Sequence, residues 1–198
     1  VMEHKSSRIR AAFVAGVAIV ALGVSFAVAP VAKAAEPIKI GFSMALTGGL
    51  AGGGKQALVA MEMWAADVNK KGGLLGRQVK LVFYDDQTNP KNVPGIYAKL
   101  LDIDKVDFVV SGYGTNLIAP ALPVVIQREL VFIGLFGMAN NKKWKYDRYF
   151  QILPSGPDPA VDFSRAWFDT VMQLKPTPKS IAFVAADAEF ARNLKEGA

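Results

Sequence analysis

The side chains that most often carry chemistry are scarce in this sequence. It contains no cysteine, and its only histidine, His4, stands close to the N-terminus. The lack of cysteine excludes disulfides, thiolate nucleophiles and cysteine zinc sites. Histidine commonly serves acid–base and metal chemistry near neutral pH. We therefore predict a protein that is not an enzyme, with no catalytic residues, no metal and no cofactor.

The glycine-rich residues 48–54 come close to a phosphate-binding loop. Gly49, Gly54 and Lys55 have the spacing G-x-x-x-x-G-K, but Gln56 stands where a serine or threonine would hold magnesium. Repeated glycines are more simply explained by a flexible turn, or by a loop whose backbone comes close to something else. A nucleotide-dependent α/β enzyme is therefore only the third alternative for this chain.

Two adjacent carboxylates, Asp85 and Asp86, end a predicted strand. Neighbouring side chains of an extended chain point to opposite faces, which works against joint acid–base or metal chemistry. We expect one of the two to be solvated and the other to brace its loop by accepting backbone hydrogen bonds.

A better candidate for binding is the loop of residues 112–116, with the sequence Gly-Tyr-Gly-Thr-Asn. It follows an apolar strand and leads into a helix, whose first amides are free. Those amides, with the side chains of Thr115 and Asn116, make a ready site for a carboxylate. A compatible alternative is that Thr115 or Asn116 caps its own helix.

Residues 134–140 follow the next predicted strand in the same way. Phe136 and Met138 are apolar residues in this loop, where they either form a pocket wall or tuck under the loop as ordinary core. The basic and aromatic residues 142–146 are read as a solvated surface loop, because a single short cluster does not make a nucleic-acid site.

Strand and helix patterns alternate along the chain from residue 38. Fully apolar strands in such alternation indicate an α/β fold with a parallel sheet covered by helices on both faces, and ligands then bind beyond the carboxyl ends of the strands. The clearest linker is residues 154–159, Pro-Ser-Gly-Pro-Asp-Pro. The predicted strands are residues 38–44, 78–84, 106–111, 130–135, 149–153 and 180–185, and the predicted helices are residues 57–68, a helix opened by Asn89 and Pro90, 117–129, 160–174 and 188–196.

The first 34 residues differ in kind from the rest. Basic residues precede an uncharged apolar run, residues 11–29, and Pro30 then leads to an Ala-Lys-Ala sequence at 32–34 of the kind that signal peptidase reads. We predict a signal peptide over residues 1–34. The alternative is that the run remains as a membrane anchor.

The net charge does not indicate nucleic-acid binding. The whole chain has 23 Lys and Arg against 17 Asp and Glu, but four of the basic and one of the acidic residues lie in residues 1–34. The remainder, with 19 basic and 16 acidic residues spread along the chain, has a net charge of +3. Nucleic-acid binding requires a clustered basic face.

Several stretches, taken in order from residue 38 to the end, resemble the leucine/isoleucine/valine-binding family of periplasmic receptors. The most specific is the Asn-x-x-Gly-Gly-x-x-Gly-Arg turn at residues 69–77 joined to Tyr-Asp-Asp at 84–86. The other matching stretches are residues 38–41 (Ile-Lys-Ile-Gly), 46–48 (Leu-Thr-Gly), 89–90 (Asn-Pro) and 105–110 (Lys-Val-Asp-Phe-Val-Val).

The resemblance implies a type I periplasmic-binding-protein fold, with two α/β lobes that close over a small molecule and deliver it to an ABC permease in the inner membrane. It divides the chain into a signal peptide (1–34), a first lobe with a doubly wound parallel sheet (35–153), and a hinge with an incomplete second lobe (154–198). We expect a periplasmic monomer that binds an amino acid or related small carboxylate. The second alternative is a membrane-tethered ligand-sensing domain of the same fold.

The resemblance also implies which loops hold the ligand. The α-carboxylate and α-amine are held in the family by loops matching residues 114–116 and 137–140, and an aromatic residue of the second lobe falls at Phe190. This chain lacks the usual aromatic near residues 52–54 and the usual hydroxyl in the fourth loop, which favours a larger, less polar ligand such as an aromatic acid. The predicted ligand-binding residues are Thr47, Gly114, Thr115, Asn116, Phe136, Gly137, Met138, Ala139 and Phe190.

Overall fold

The computed structural model describes residues 35–198, so the predicted signal peptide lies outside the described residues. Five parallel strands are present; helices follow β1, β2, β3 and β5, as the apolar pattern predicts, whereas turns join β4 to β5. The strands are β1 (Ile38–Met44), β2 (Val79–Asp85), β3 (Phe108–Val109), β4 (Phe132–Gly134) and β5 (Tyr149–Gln151). The helices are α1 (Ala51–Lys70), α2 (Val93–Asp102), α3 (Thr115–Ile118), α4 (Leu122–Gln127), α5 (Pro159–Val171) and α6 (Glu189–Gly197).

The strands form a doubly wound sheet. β1 pairs in parallel with β2 on one side and with β3 on the other, while β4 pairs in parallel with β5. Parallel bridges from Val110 to Ile133 and from Tyr113 to Phe136 join the two sets, which gives the order β2-β1-β3-β4-β5. The direction of winding reverses between β1 and β3. In this arrangement, the ligand crevice lies at that switch point, outside the carboxyl ends of the strands.

Helices pack on both faces of the sheet, as predicted, but on the α1 face an apolar groove of about 520 Å³ over β3 and β4 stays open. On one face, Ala57 and Ala65 of α1 pack on the buried side chains of β1. On the other face, α2 packs with α4 and with Phe132 of β4 in a single core cluster, which includes the completely buried Tyr97. The polypeptide therefore builds one layer of strands between two layers of helices, which is the expected α/β architecture.

The helix after β1 begins earlier than predicted. The glycine-rich residues 48–54 were expected to form a loop, but α1 starts at Ala51 and includes the last three glycines. A side chain at Gly54 would overlap the backbone carbonyl of Ala45, so glycine lets this helix lie directly against the end of β1. The early start leaves no open loop between Gly49 and Gly54 to surround a phosphate.

Two of the predicted helices have different bounds in the structure. The second helix begins at Val93 rather than at Asn89, since residues 90–92 form a turn. The predicted helix over residues 117–129 is divided into α3, a 3₁₀ turn at Ala119–Ala121, and α4. Pro120 and Pro123 lack the backbone N–H that a continuous helix requires, which accounts for the division.

The predicted strand at residues 180–185 is wrong, because the backbone there is irregular. Its apolar side chains are exposed, with Val184 fully open to solvent. A strand needs a neighbour to pair its N–H and C=O groups, and none lies beside this segment within residues 35–198. None of the helices in the same described part of the chain is both long and apolar enough to cross a membrane.

Candidate functional site

The carboxyl ends of the parallel strands bring four loops to one edge of the sheet. These are residues 45–50 after β1, 86–92 after β2, 110–114 after β3 and 135–141 after β4. The loop after β4 also faces α5 and α6 across a cavity of about 330 Å³. The cavity is lined by Ala139, Asn140, Lys142, Lys143, Asp158 and Glu189, among other residues.

Asp85 ties the loop after β1 to the end of β2. Its Oδ1 accepts hydrogen bonds from the amides of Leu46 (3.0 Å), Thr47 (3.2 Å) and Gln87 (2.8 Å), and its Oδ2 accepts from the Thr47 hydroxyl at 2.7 Å. Desolvation tends to raise the pKa of Asp85, but the hydrogen bonds outweigh it and hold the pKa below its ordinary value. The bracing role predicted for one of the two carboxylates is confirmed.

The predicted binding residue Thr47 is therefore engaged within the protein. Its hydroxyl donates to Asp85, while its carbonyl accepts from the Thr88 hydroxyl at 2.7 Å. The Thr88 hydroxyl in turn accepts from the amide of Leu50 at 3.2 Å. The loops after β1 and β2 are thus locked to each other, and the N-terminus of α1 is fixed with them.

Asp86 is completely buried, so the expectation that the second carboxylate is solvated is wrong. Its Oδ1 accepts a hydrogen bond from the amide of Thr88 at 2.9 Å. Its Oδ2 and the Oγ of Ser43 are buried without a hydrogen-bond partner within residues 35–198. Burial raises the pKa of Asp86 above its ordinary value.

The loop after β3 and the start of α3 hold three of the predicted residues, Gly114, Thr115 and Asn116. Gly114 has a left-handed φ of 107° and precedes α3, so neither Thr115 nor Asn116 caps this helix. Thr115 is buried, and its hydroxyl accepts a hydrogen bond from the amide of Met138 at 3.2 Å. The amides of Thr115 and Asn116 donate no hydrogen bond within residues 35–198.

The loop after β4 holds four more predicted residues. Phe136 is partly exposed, and its ring centroid lies 5.9 Å from that of Tyr113. A side chain at Gly137 would come within 2.5 Å of the side chains of Asn140 and Ile118, so a larger residue here would require both to move. Met138 is completely buried, which is the core position weighed as the alternative to a pocket wall. Ala139 lines the cavity that faces α5 and α6.

Phe190 lies on α6, 38% exposed, and packs edge-to-face on Phe163 of α5 with ring centroids 6.0 Å apart.

Two residues of the carboxyl edge were not among those predicted. Asn140 is buried, and its side-chain amide donates to the Thr115 carbonyl at 2.7 Å. Tyr113 bridges the first turn of α1 and the loop after β4; the signal for it was an aromatic residue between two glycines, directly after a strand.

Comparison with known proteins decides the family. The model of the family described as "Periplasmic binding protein" matches residues 37–198. The chain belongs to this family. Its resemblance to the leucine/isoleucine/valine-binding receptors is confirmed, and so is the type I fold with its parallel sheet.

Two periplasmic-binding-protein relatives show how far the sequence likeness extends. The Leu/Ile/Val-binding protein of Escherichia coli strain K12 is 29% identical over 99 residues, which cover 50% of this chain and 27% of that protein. An amino acid binding protein of Pseudomonas aeruginosa is 31% identical over 115 residues, which cover 58% of this chain and 31% of that protein. The matched region thus spans under a third of either relative.

Among solved structures, this periplasmic binding protein is similar to the branched-chain amino acid transporter substrate-binding protein of Streptococcus pneumoniae in complex with isoleucine. The TM-score is 0.68 over 81% of this chain and 45% of the other, with 18% sequence identity. At that identity the likeness concerns the fold alone.

Proposed function

We propose that this protein is an extracytoplasmic solute-binding receptor of an ABC importer, which binds an amino acid or related small carboxylate between two lobes. The proposal rests mainly on the family match over residues 37–198. It is supported by relatives named for binding leucine, isoleucine and valine, or amino acids in general. The partner that receives the ligand is proposed to be the importer's permease in the inner membrane, and the receptor is proposed to act as a periplasmic monomer.

The carboxyl edge offers polar groups that suit such a ligand. The hydroxyls of Thr47 and Thr115 are already hydrogen-bonded within the protein. The groups left for a ligand are the free amides of Thr115 and Asn116 and the partly exposed Asn116 side chain. Backbone amides at the start of a helix favour a negatively charged acceptor. We propose that they hold the ligand's carboxylate.

The proposed division of the molecule follows from the same loops. We propose that residues 35–153 form the first lobe and that residues 154–198 belong to the hinge and the second lobe. The loop after β4 faces residues of α5 and α6 across a cavity, which supports a ligand site between the two parts. Closure of the lobes over a ligand is the two-state motion expected of such receptors.

An aromatic acid remains the proposed ligand class within this function. Of the two apolar residues predicted to line the extra room, Met138 is buried and Phe136 is partly exposed. The ring of Phe136 therefore offers the apolar surface in the first lobe. Tyr113, which packs beside it, extends that surface.

A thermal-shift screen of the full-length protein tests this function. After removal of any bound ligand, the melting temperature is measured with aliphatic amino acids, aromatic acids, amides and urea. A ligand that binds only the folded state stabilises it by about 2.7 kcal/mol at a concentration of about 100 Kd. We expect a clear rise with one chemical class of carboxylate. The absence of any shift across the panel would contradict the proposal.

A further inference from the structure

The ring of Tyr113 lies directly on the backbone of Gly53, in the first turn of α1. A side chain added at Gly53 would overlap this ring and would come to 2.5 Å from the Tyr113 hydroxyl oxygen. On its other side the ring packs against Phe136 with a centroid distance of 5.9 Å. Because Gly53 has no side chain, the ring of Tyr113 has room to lie against the backbone of α1 at this point.

This position coincides with the switch point of the sheet. Tyr113 follows β3, Gly53 follows β1, and the winding direction reverses between these two strands. Gly114, with its left-handed φ of 107°, turns the chain immediately after Tyr113 and lies against Leu50 at the start of α1. The carboxyl-end crevice of a doubly wound sheet opens at this reversal, and ligands of such folds bind there.

The side chain of Tyr113 packs against the core cluster of Phe42, Met44 and Ala57 but remains partly exposed at its edge. It is only partly buried, whereas Phe42 and Tyr97 nearby in the fold are completely buried. Its hydroxyl makes no hydrogen bond within the described residues 35–198. It also directly precedes the loop Gly114–Asn116, whose amides are proposed to hold the ligand's carboxylate.

We propose that Tyr113 is a specificity-determining residue, whose ring forms an aromatic wall beside the ligand's carboxylate and favours ligands with a flat apolar group. This inference rests on the proposed solute-binding function and adds to it the residue that selects among carboxylates. Aromatic pairs prefer offset-stacked or edge-to-face contacts, worth about 0.5–1.5 kcal/mol beyond the burial of their surface. The position of the ring is set by Gly53, so Gly53 acts through Tyr113 as a positioning residue.

The test compares two ways of removing the wall in the full-length protein. Tyr113→Leu removes the ring. Gly53→Ala keeps the tyrosine but displaces its ring from the backbone of α1. Gly52→Ala is the matched control, because the added methyl group in the same helical turn meets nothing within 4 Å. Calorimetric titration gives Kd for benzoate, L-phenylalanine and L-leucine, and circular dichroism confirms that each variant is folded.

We expect Tyr113→Leu and Gly53→Ala each to weaken binding of the aromatic carboxylates relative to L-leucine by about twofold to tenfold. Gly52→Ala should keep the wild-type ratio, and Gly53→Ala combined with Tyr113→Leu should shift it no further than Tyr113→Leu alone. If Tyr113→Leu does not fold, the ratio of Kd values measured for Gly53→Ala still tests the role of Tyr113.

Two results would overturn the inference while leaving the proposed function intact. The first is a wild-type protein that binds L-leucine but neither aromatic probe. The second is a wild-type protein that binds the aromatic probes while Tyr113→Leu or Gly53→Ala leaves the ratio unchanged or weakens all ligands equally. A wild-type protein that binds no carboxylate would instead reject the proposed function, and the inference with it.

Discussion

At the scale of single residues, the two neighbouring carboxylates behave in opposite ways. Asp85 collects hydrogen bonds from the loop after β1, whereas Asp86 is enclosed with one oxygen unpartnered. The pKa of Asp85 is lowered by those hydrogen bonds against an opposing desolvation effect, and the pKa of Asp86 is raised by burial. The ionised form stabilises the fold at the first position and destabilises it at the second.

Asp85→Asn should destabilise the protein at neutral pH by about 1–2 kcal/mol, because a charged acceptor of several hydrogen bonds is replaced by a neutral one. A lowered pKa means that the contribution of Asp85 is fully present above its ordinary value of 3.8 and is lost as pH falls through the lowered value. Urea unfolding at pH 7 and pH 3 should show the difference from wild type shrinking in acid. A difference that stays constant across this range would contradict the role given to Asp85.

Asp86→Asn should change stability with the opposite pH dependence. A raised pKa means that the contribution of Asp86 is present below 3.8 and is lost as pH rises through the raised value. The asparagine variant does not ionise, so its stability relative to wild type should increase between pH 3 and pH 7. Asp67→Asn, which makes the same substitution at an exposed position of α1, is the control. A decrease toward pH 7 would show that ionised Asp86 is stabilised in the fold.

The sequence predicts the role of these residues only where that role does not depend on tertiary packing. The bracing carboxylate was predictable because a carboxylate after a strand readily accepts hydrogen bonds from loop amides. Which of the two aspartates would be buried was not, since that depends on the neighbouring loops. Met138 was equally undecidable, because an apolar residue in a loop faces the core or the cleft according to contacts made elsewhere in the chain.

At the scale of elements, glycine decides how closely α1 approaches the sheet. Gly54→Ala should destabilise the protein by about 1–3 kcal/mol, because its methyl group would overlap the Ala45 carbonyl and push α1 away from β1. Gly52→Ala, where the methyl group meets nothing within 4 Å, should instead stabilise the helix by up to about 1 kcal/mol. The free energies of unfolding of both variants are measured by chemical denaturation. Equal changes in the two variants would show that α1 does not pack against β1 as described.

The strands and most helices were predictable because their apolar patterns are local. β1 matches its predicted bounds, and the others differ from theirs by a few residues at the ends. The errors have physical causes outside the pattern: prolines divide the helix after β3, and α1 extends into glycines that fit against β1. Residues 180–185 have the apolar character of a strand, but a strand also requires a partner, which the pattern alone does not supply.

At the scale of the whole molecule, we propose that the chain is exported and carries a receptor lobe with a ligand crevice at its switch point. Export and cleavage of the signal peptide can be tested separately from ligand binding. Expressed in a Gram-negative host, the protein should be recovered from the periplasm with Ala35 as its first residue, because Ala-Lys-Ala at 32–34 is a cleavage pattern. Intact mass spectrometry measures this directly. Membrane-bound protein that keeps residues 11–29 would favour the tethered sensing domain.

The most direct test of the central claim is a crystal structure of the full-length protein with the carboxylate that gives the largest thermal shift. We predict that the ligand lies between two lobes, with its carboxylate accepting hydrogen bonds from the amides of Thr115 and Asn116 and its apolar part against Tyr113. A ligand bound away from the carboxyl ends of β1 and β3, or held without contact to residues 114–116, would contradict the account.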